Sequence, residues 1–463
     1  MNNKLVVTKK QIKIFFMLLL TKIVYEIVIY LLLPENYLLW SFEKNINWGY
    51  LLVEIPVFCI AGVILCINFN DISPLNFFVT MIFELYFIPT NSSLVLSHVE
   101  IKYYILSNTF GIFLIIIFRD LVGRDNHKIR NKDSYSVNSK GIFIDNILES
   151  SRLWWCVRGI CVFTCVATLI YVYMYNGLNL SVIFNEMYTV RSEYAKHALE
   201  MTGSLASYLT LIVTRLSGWI LPLYLYFALK KGNKLDIIFS LFTFLANFSV
   251  EMQKSSLMIV LIVIAIVLIE KKGKIANISI IVIQAFIGLM LFSLAEYFLY
   301  GQSVLFTVFV RRLLYIPSYM NEKYYEFFSM NRKIYFTQDA FLIQNILQKV
   351  FGRAYTKSSV AVISSACFNG ELPSPNTGLF AEAYSQLGIL GIFVFPFIYK
   401  YIAKIVYKVS HFYGKGAIYV ILFKLVLTIT SVFTLTSSTF VGILLFLGIT
   451  LFAKSMSCSF NRR

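Results

Sequence analysis

Residues 275–299 form an apolar run in which Glu296 is the only charge, and a run of that kind has few ways to fold. About 20 apolar residues in a helix span the hydrocarbon core of a bilayer, and a helix satisfies its own backbone where no water is present. Similar runs recur at 12–33, 48–67, 75–94, 102–118, 154–175, 205–229, 235–250, 256–270, 387–403, 417–433 and 439–453. The expected fold class is therefore all-α: a polytopic helical membrane protein with about twelve transmembrane helices, its 463 residues forming a single integral membrane domain.

Hydrophobic residues make up 58% of the chain and charged residues 14%, which leaves too little charged surface for a soluble fold of this length. The net charge of +17 does not point to nucleic acid, because Lys and Arg sit in short clusters between apolar runs and not along one stripe. The clusters are Lys4/Lys9/Lys10, the basic loop 119–153, Lys230/Lys231/Lys234, Lys271/Lys272/Lys274, Lys400/Lys404/Lys408/Lys415 and Lys454 with Arg462/Arg463. Basic residues near short loops stay on the cytoplasmic side, so the pattern implies that both termini are cytoplasmic. The apolar stretch after Lys10 continues to about Leu33 without a small-residue cleavage site and reads as a retained first helix. Cys156, Cys161 and Cys165 lie on one apolar run, where small-residue packing explains them. No metal, disulfide framework, cofactor or nucleophile triad is expected.

With this orientation two longer segments face outward, 176–203 and 300–386. The second carries Arg311, Arg312, Lys323, Arg332, Lys333, Lys349, Arg353 and Lys357 on the side where basic residues are scarce. Long loops of this kind commonly carry function. They contain Asn185-Glu186-Met187-Tyr188-Thr189-Val190-Arg191-Ser192-Glu193-Tyr194 and Arg311-Arg312-Leu313-Leu314-Tyr315-Ile316-Pro317-Ser318-Tyr319. A third stretch runs from Pro373-Ser374-Pro375-Asn376-Thr377-Gly378 through Glu382-Ala383-Tyr384 to Gly388-Ile389-Leu390-Gly391. In these three places the chain resembles the Wzy-type polymerases of O-antigen and capsule repeat units. The match covers about 40 residues, with the three motifs in the family's order. Related lipid-linked polymer ligases carry a His where this chain has Thr377, which argues against a ligase. An Arg-x10-Gly pattern of some polymerases is absent, since Thr202 stands in the glycine's place after Arg191 and Gly203 comes one residue late.

The resemblance implies a GT-C-like membrane glycosyltransferase at the outer face of the bacterial cytoplasmic membrane. It would join undecaprenyl-diphosphate-linked glycans into O-antigen or capsular polysaccharide, with the lipid bilayer and a chain-length regulator as partners and no nucleic acid. The leaving group is a diphosphate, which suits permanently charged, bidentate guanidinium groups. Arg191 and Arg311 are the catalytic candidates, with Arg312, Arg353 and Arg215 as substrate-binding candidates; the alternative for the outer arginines is interfacial anchoring. Glu382, near the start of the tenth run, suits a general base toward the acceptor hydroxyl, or a carboxylate favoured at a helix N-terminus. Tyr194, Tyr315, Asn376 and Tyr384 are candidates for sugar contacts, although tyrosine also concentrates at membrane interfaces. Gly378, Gly388 and Gly391 read as sites of close backbone approach. Within the runs, Lys22 and Glu26 lie one turn apart and are expected to pair, while Arg215 either reaches the diphosphate or pairs with an acid such as Glu84. The rivals in function are a lipid-linked oligosaccharide flippase and a transferase adding one sugar.

Overall fold

A computed structural model describes residues 8–33, 36–37, 40–41, 47–67, 69, 73–96, 99–133, 151–174, 215–251, 254–338, 344–368, 377–435 and 439–460. In chain order its helices are α1 Lys9–Leu32, α2 Leu51–Cys66, α3 Pro74–Leu96, α4 Ile101–Asp133, α5 Ser151–Met174, α6 Ser217–Lys231, α7 Lys234–Glu251 and α8 Lys254–Lys271. There follow α9 Ile278–Tyr300, α10 Ile316–Met330, α11 Gln344–Phe351, α12 Ser359–Phe368, α13 Phe380–Leu387, α14 Ile389–Ser410, α15 Lys415–Ser431 and α16 Thr439–Phe460. A π-helical segment, Phe306–Tyr315, runs directly into α10. Among the described residues the strands are one short antiparallel pair, β1 Asn36–Tyr37 with β2 Trp40–Ser41.

Seven helices among the described residues are long and apolar enough to cross a membrane, and the chain is a helical membrane protein. They coincide with the runs expected at 12–33, 48–67, 75–94, 102–118, 154–175, 275–299 and 387–403. The other five expected runs also fall on helices where they are described, residues 205–214 of the run 205–229 lying outside the described residues. Of these, α6 and α15 are only 15 and 17 residues long; α7 and α8 start and end on charged residues. The apolar part of α16 is Phe440–Ser455.

The chain divides into two compact units. The first comprises Met1–Lys132, Ala276–Lys404 and Val426–Ser437. Its centre is α3, buried along its whole length, with α1, α2 and α9 packed around it. A capping box starts α1: the Thr8 hydroxyl accepts from the Gln11 N–H, and the Gln11 carbonyl oxygen accepts from the Thr8 N–H. Deeper in the unit, Lys22 Nζ donates to Glu26 Oε1 at 2.5 Å, to Glu54 Oε2 at 2.7 Å and to Ser92 Oγ at 3.0 Å. The expected Lys22–Glu26 pair is therefore present, with a second carboxylate from α2 added to it. Such burial is tolerated because every charge has partners: Glu54 Oε1 also accepts from the Val95 N–H, and Ser92 Oγ donates to Glu26.

The second unit comprises Asp133–Ile275, Ile405–Leu425 and Ser438–Arg463. There α6 packs against α5, α7, α8 and α16. Asp236 accepts from Arg158, Tyr224 and Asn233, and Lys230 pairs with Glu270 at 3.0 Å, so the polar ends of four helices are cross-braced. Gly232 terminates α6 in the left-handed conformation (φ 71°) that a C-cap glycine adopts without strain.

The segment expected as a long loop, 300–386, is mostly helical where it is described and folds onto the first unit. Tyr103 of α4 donates to the Ser318 carbonyl at 3.2 Å, and α10 packs against α12 and α13. In the expected basic loop 119–153, α4 continues to Asp133. The expected outer loop 176–203 lies outside the described residues.

Candidate functional site

The arginine pair sits on an unusual backbone. Through Phe306–Tyr315 the helix is of π type, and the Ile316 N–H donates to the Arg311 carbonyl five residues back. The residue after Ile316 is Pro317, which has no N–H to give the carbonyl of Leu313 and whose ring would press on it in an α-helix. Widening the preceding turns relieves that conflict, and π segments of this kind are frequent at functional sites. The same device occurs once more in this unit: α3 turns π over Phe83–Phe87, the Ile88 N–H donates to the Phe83 carbonyl, and Pro89 follows. The two segments, ending Leu-Tyr-Ile-Pro and Tyr-Phe-Ile-Pro, pack against each other.

Arg311, Tyr315, Tyr319 and Glu322 follow one another at spacings of four, four and three, and so share one face of this helix. Arg311 is 7% exposed, and Arg312 is half-buried. The rings of Tyr315 and Tyr319 stack at 6.3 Å with planes 15° apart. Beside them is a small cavity of about 10 Å³, room for about one water, bordered by Tyr25, Pro89, Ser93, Tyr315, Tyr319 and Glu322. Burial raises the Glu322 carboxyl from 4.5 to about 7, against the opposing pull of Lys323. Lys323 itself pairs with Glu326 at 2.8 Å and lies over the Tyr319 ring.

The stretch 377–391 does something different. Thr377 Oγ1 donates to the Pro317 carbonyl at 3.1 Å, and the N–H groups of Gly378 and Leu379 donate to the carbonyls of Thr430 and Ile429. Those carbonyls belong to the last turn of α15, whose own helix leaves them without donors. A Cβ on Gly378 would collide with the Ile429 and Val432 carbonyl oxygens, and one on Gly391 with the Ala383 carbonyl. Gly388 turns the chain between α13 and α14 at φ 60°. The glycines thus permit close backbone crossings, as their spacing suggested.

Glu382 is enclosed within the same crossing. It is 0% exposed; Oε2 accepts from the Tyr399 hydroxyl at 2.6 Å and the Thr434 N–H at 2.9 Å, and Oε1 accepts from the Leu435 N–H at 2.7 Å. These contacts have the carboxylate brace the chain just after α15, with both oxygens accepting from protein donors. In Glu382→Gln the amide nitrogen must face a backbone N–H, and losing a charge-assisted hydrogen bond costs about 1.5–3 kcal/mol. The expected result is a clearly lower Tm for the detergent-solubilised protein, with a smaller drop for Tyr399→Phe. An unchanged Tm for Glu382→Gln would remove the bracing role.

Tyr384 stacks on Phe380 at 5.5 Å, packs against Tyr325 and carries Lys333 Nζ 4.8 Å from its ring centre. Arg353 is exposed and donates to the Thr356 carbonyl at 2.7 Å within its own loop. Arg215 belongs to the second unit, just ahead of α6. Arg191, Tyr194 and Asn376 lie outside the described residues. Of the expected site residues, Arg311, Arg312 and Tyr315 lie on the one π-helical segment, where Arg311 and Tyr315 share a face with Tyr319 and Glu322 of α10. The sequence signal for Tyr319 and Glu322 is their spacing from Arg311. No protein-family model matches the chain, and no curated protein or solved structure is similar to it.

Proposed function

We propose that this protein is a repeat-unit polymerase of GT-C-like architecture, with about twelve transmembrane helices and both termini in the cytoplasm. It takes a growing glycan from undecaprenyl diphosphate and transfers it to the distal sugar of another lipid-linked repeat unit, at the outer face of the bacterial cytoplasmic membrane. The observation that carries this reading is the adjacent Arg311 and Arg312 on a π-helical segment outside the seven long apolar helices, with Arg311 on the same face as a stacked tyrosine pair that borders a small cavity. A guanidinium as shielded from water as that of Arg311 binds a departing diphosphate more strongly than an exposed one, and tyrosine rings suit sugar faces. Arg191 is proposed as a further diphosphate contact from the segment 176–203.

The Lys22–Glu26–Glu54 cluster favours a second reading, because buried charges among membrane helices also mark transport pathways. Deleting the gene separates the two. Loss of a polymerase leaves surface lipid carrying a single repeat unit, loss of a flippase leaves none, and loss of a side-chain transferase leaves long chains of altered composition. A single-unit phenotype, restored to long chains by the wild-type gene, is the expected result.

A further inference from the structure

Once Glu382 is committed to bracing, the reaction lacks a proton acceptor. The other well-described acids of the first unit are mostly engaged as well. Among the described residues, Glu26 and Glu54 are held by Lys22, Glu326 by Lys323, Asp120 by Lys400, and Glu296 by Ser303 and the Leu305 N–H; Glu84 keeps one oxygen without a hydrogen bond, but it is 1% exposed inside α3, which is buried along its whole length and closed to a substrate. Glu322 has no ion pair or hydrogen bond among the described residues, is 9% exposed and borders a cavity of about one water. Its place on the arginine face, beside two tyrosines and room for about one water, gives it a use.

We propose that Glu322 is the general base that takes the proton of the acceptor hydroxyl, an inference that rests on the polymerase reading above. The hydroxyl oxygen forms its bond to the anomeric carbon of the donor glycan while the bond from that carbon to the diphosphate oxygen breaks. The electron pair leaves on the diphosphate, which Arg311 and Arg312 stabilise; the hydroxyl proton passes to Glu322 and from there to solvent. Eleven residues separate Arg311 from Glu322, roughly 16 Å along a helix at about 1.5 Å per residue. An extended line of attacking hydroxyl, anomeric carbon and diphosphate, met by a long arginine at one end and a short carboxylate at the other, fits that span.

The charged and titratable groups around Glu322 are Tyr315, Tyr319, Lys323 and Glu326 on its own helix, Tyr25 of α1, Tyr103 of α4, and Cys367 of α12 next to Tyr319. The tyrosines, the lysine and the thiol ordinarily titrate above pH 8. A base must be ionised to act, so elongation should rise about tenfold per pH unit below about 7 and level off above it.

The test uses the full chain in lipid nanodiscs with a synthetic undecaprenyl-diphosphate repeat unit, measuring single-turnover elongation between pH 5.5 and 8.5. Glu322→Gln is expected to lose about 10²- to 10⁴-fold in rate and to become insensitive to pH. It should still bind the lipid-linked unit with wild-type affinity, and Glu322→Asp should restore part of the rate. A wild-type profile that is flat across pH 7 overturns the inference whether or not the variant folds. So does a folded Glu322→Gln protein that elongates normally, and in that case the polymerase reading stands. A wild-type protein that joins no units at any pH removes the polymerase reading and this inference together.

Discussion

Replacing Lys22 by Met should unfold this protein more readily than any other single change in the buried charge cluster. Methionine keeps the length and much of the volume of lysine but removes the ammonium that binds Glu26 at 2.5 Å and Glu54 at 2.7 Å. Both carboxylates are then left in a site where their side chains are 5% and 0% exposed. Removing one partner of a buried pair typically costs about 3–5 kcal/mol, because the survivor is left uncompensated, and here there are two survivors. Folded domains rest on a margin of about 5–15 kcal/mol. The expected result is a sharp fall in Tm and in the amount of protein recovered from membranes. Combining Lys22→Met with Glu26→Gln and Glu54→Gln should recover most of the loss, since neutral partners carry no unpaired charge. A Lys22→Met protein as stable as the wild type would mean that the cluster contributes nothing net to the fold.

The cluster also illustrates how far the sequence could be read. Lys22 and Glu26 are visible as a pair because four residues is one helical turn. Glu54 is 32 residues away, and only the packing of α2 against α1 brings it in. Apolar runs announce membrane helices because lipid admits few other structures, so the seven long helices were legible. The site was less so. Arg311, Arg312 and Tyr315 stand out as basic and aromatic residues in the long segment between two apolar runs, but the stretch around Glu382 attracts attention for chemistry and forms a backbone crossing. What decides its role is contact with Thr434 and Leu435, more than 50 residues on, which no local pattern encodes. Glu322 is hard to see for the opposite reason: its spacing from Arg311 is the one sequence signal it gives, and its burial beside a cavity is what sets it apart. The Ile-Pro steps do not settle the π segments by themselves: Ile88-Pro89 and Ile316-Pro317 follow such segments, whereas Ile55-Pro56 lies inside the regular helix α2.

Arg311→Ala should abolish most chain elongation while leaving a folded protein. If its guanidinium meets the diphosphate as charge develops there, removing it should cost about 2.7–4 kcal/mol of transition-state stabilisation, or about 10²- to 10³-fold in rate. Arg311→Lys distinguishes this role from interfacial anchoring. A lysine stem still reaches the headgroups, so an anchor survives the change, but a point charge cannot make the two parallel hydrogen bonds of a guanidinium, so a diphosphate clamp does not. Arg312→Lys, at the half-buried neighbouring position, should show the same loss in milder form. Arg353→Lys is the contrasting case, because Arg353 is exposed and its donor goes to the Thr356 carbonyl; it should elongate within about twofold of wild type, as surface substitutions generally do. Initial rates of chain extension in nanodiscs, read together with Tm for each variant, provide the comparison. Should Arg311→Lys elongate at the wild-type rate, the guanidinium clamp at this position is wrong, and the arginine face would have to be explained by membrane anchoring.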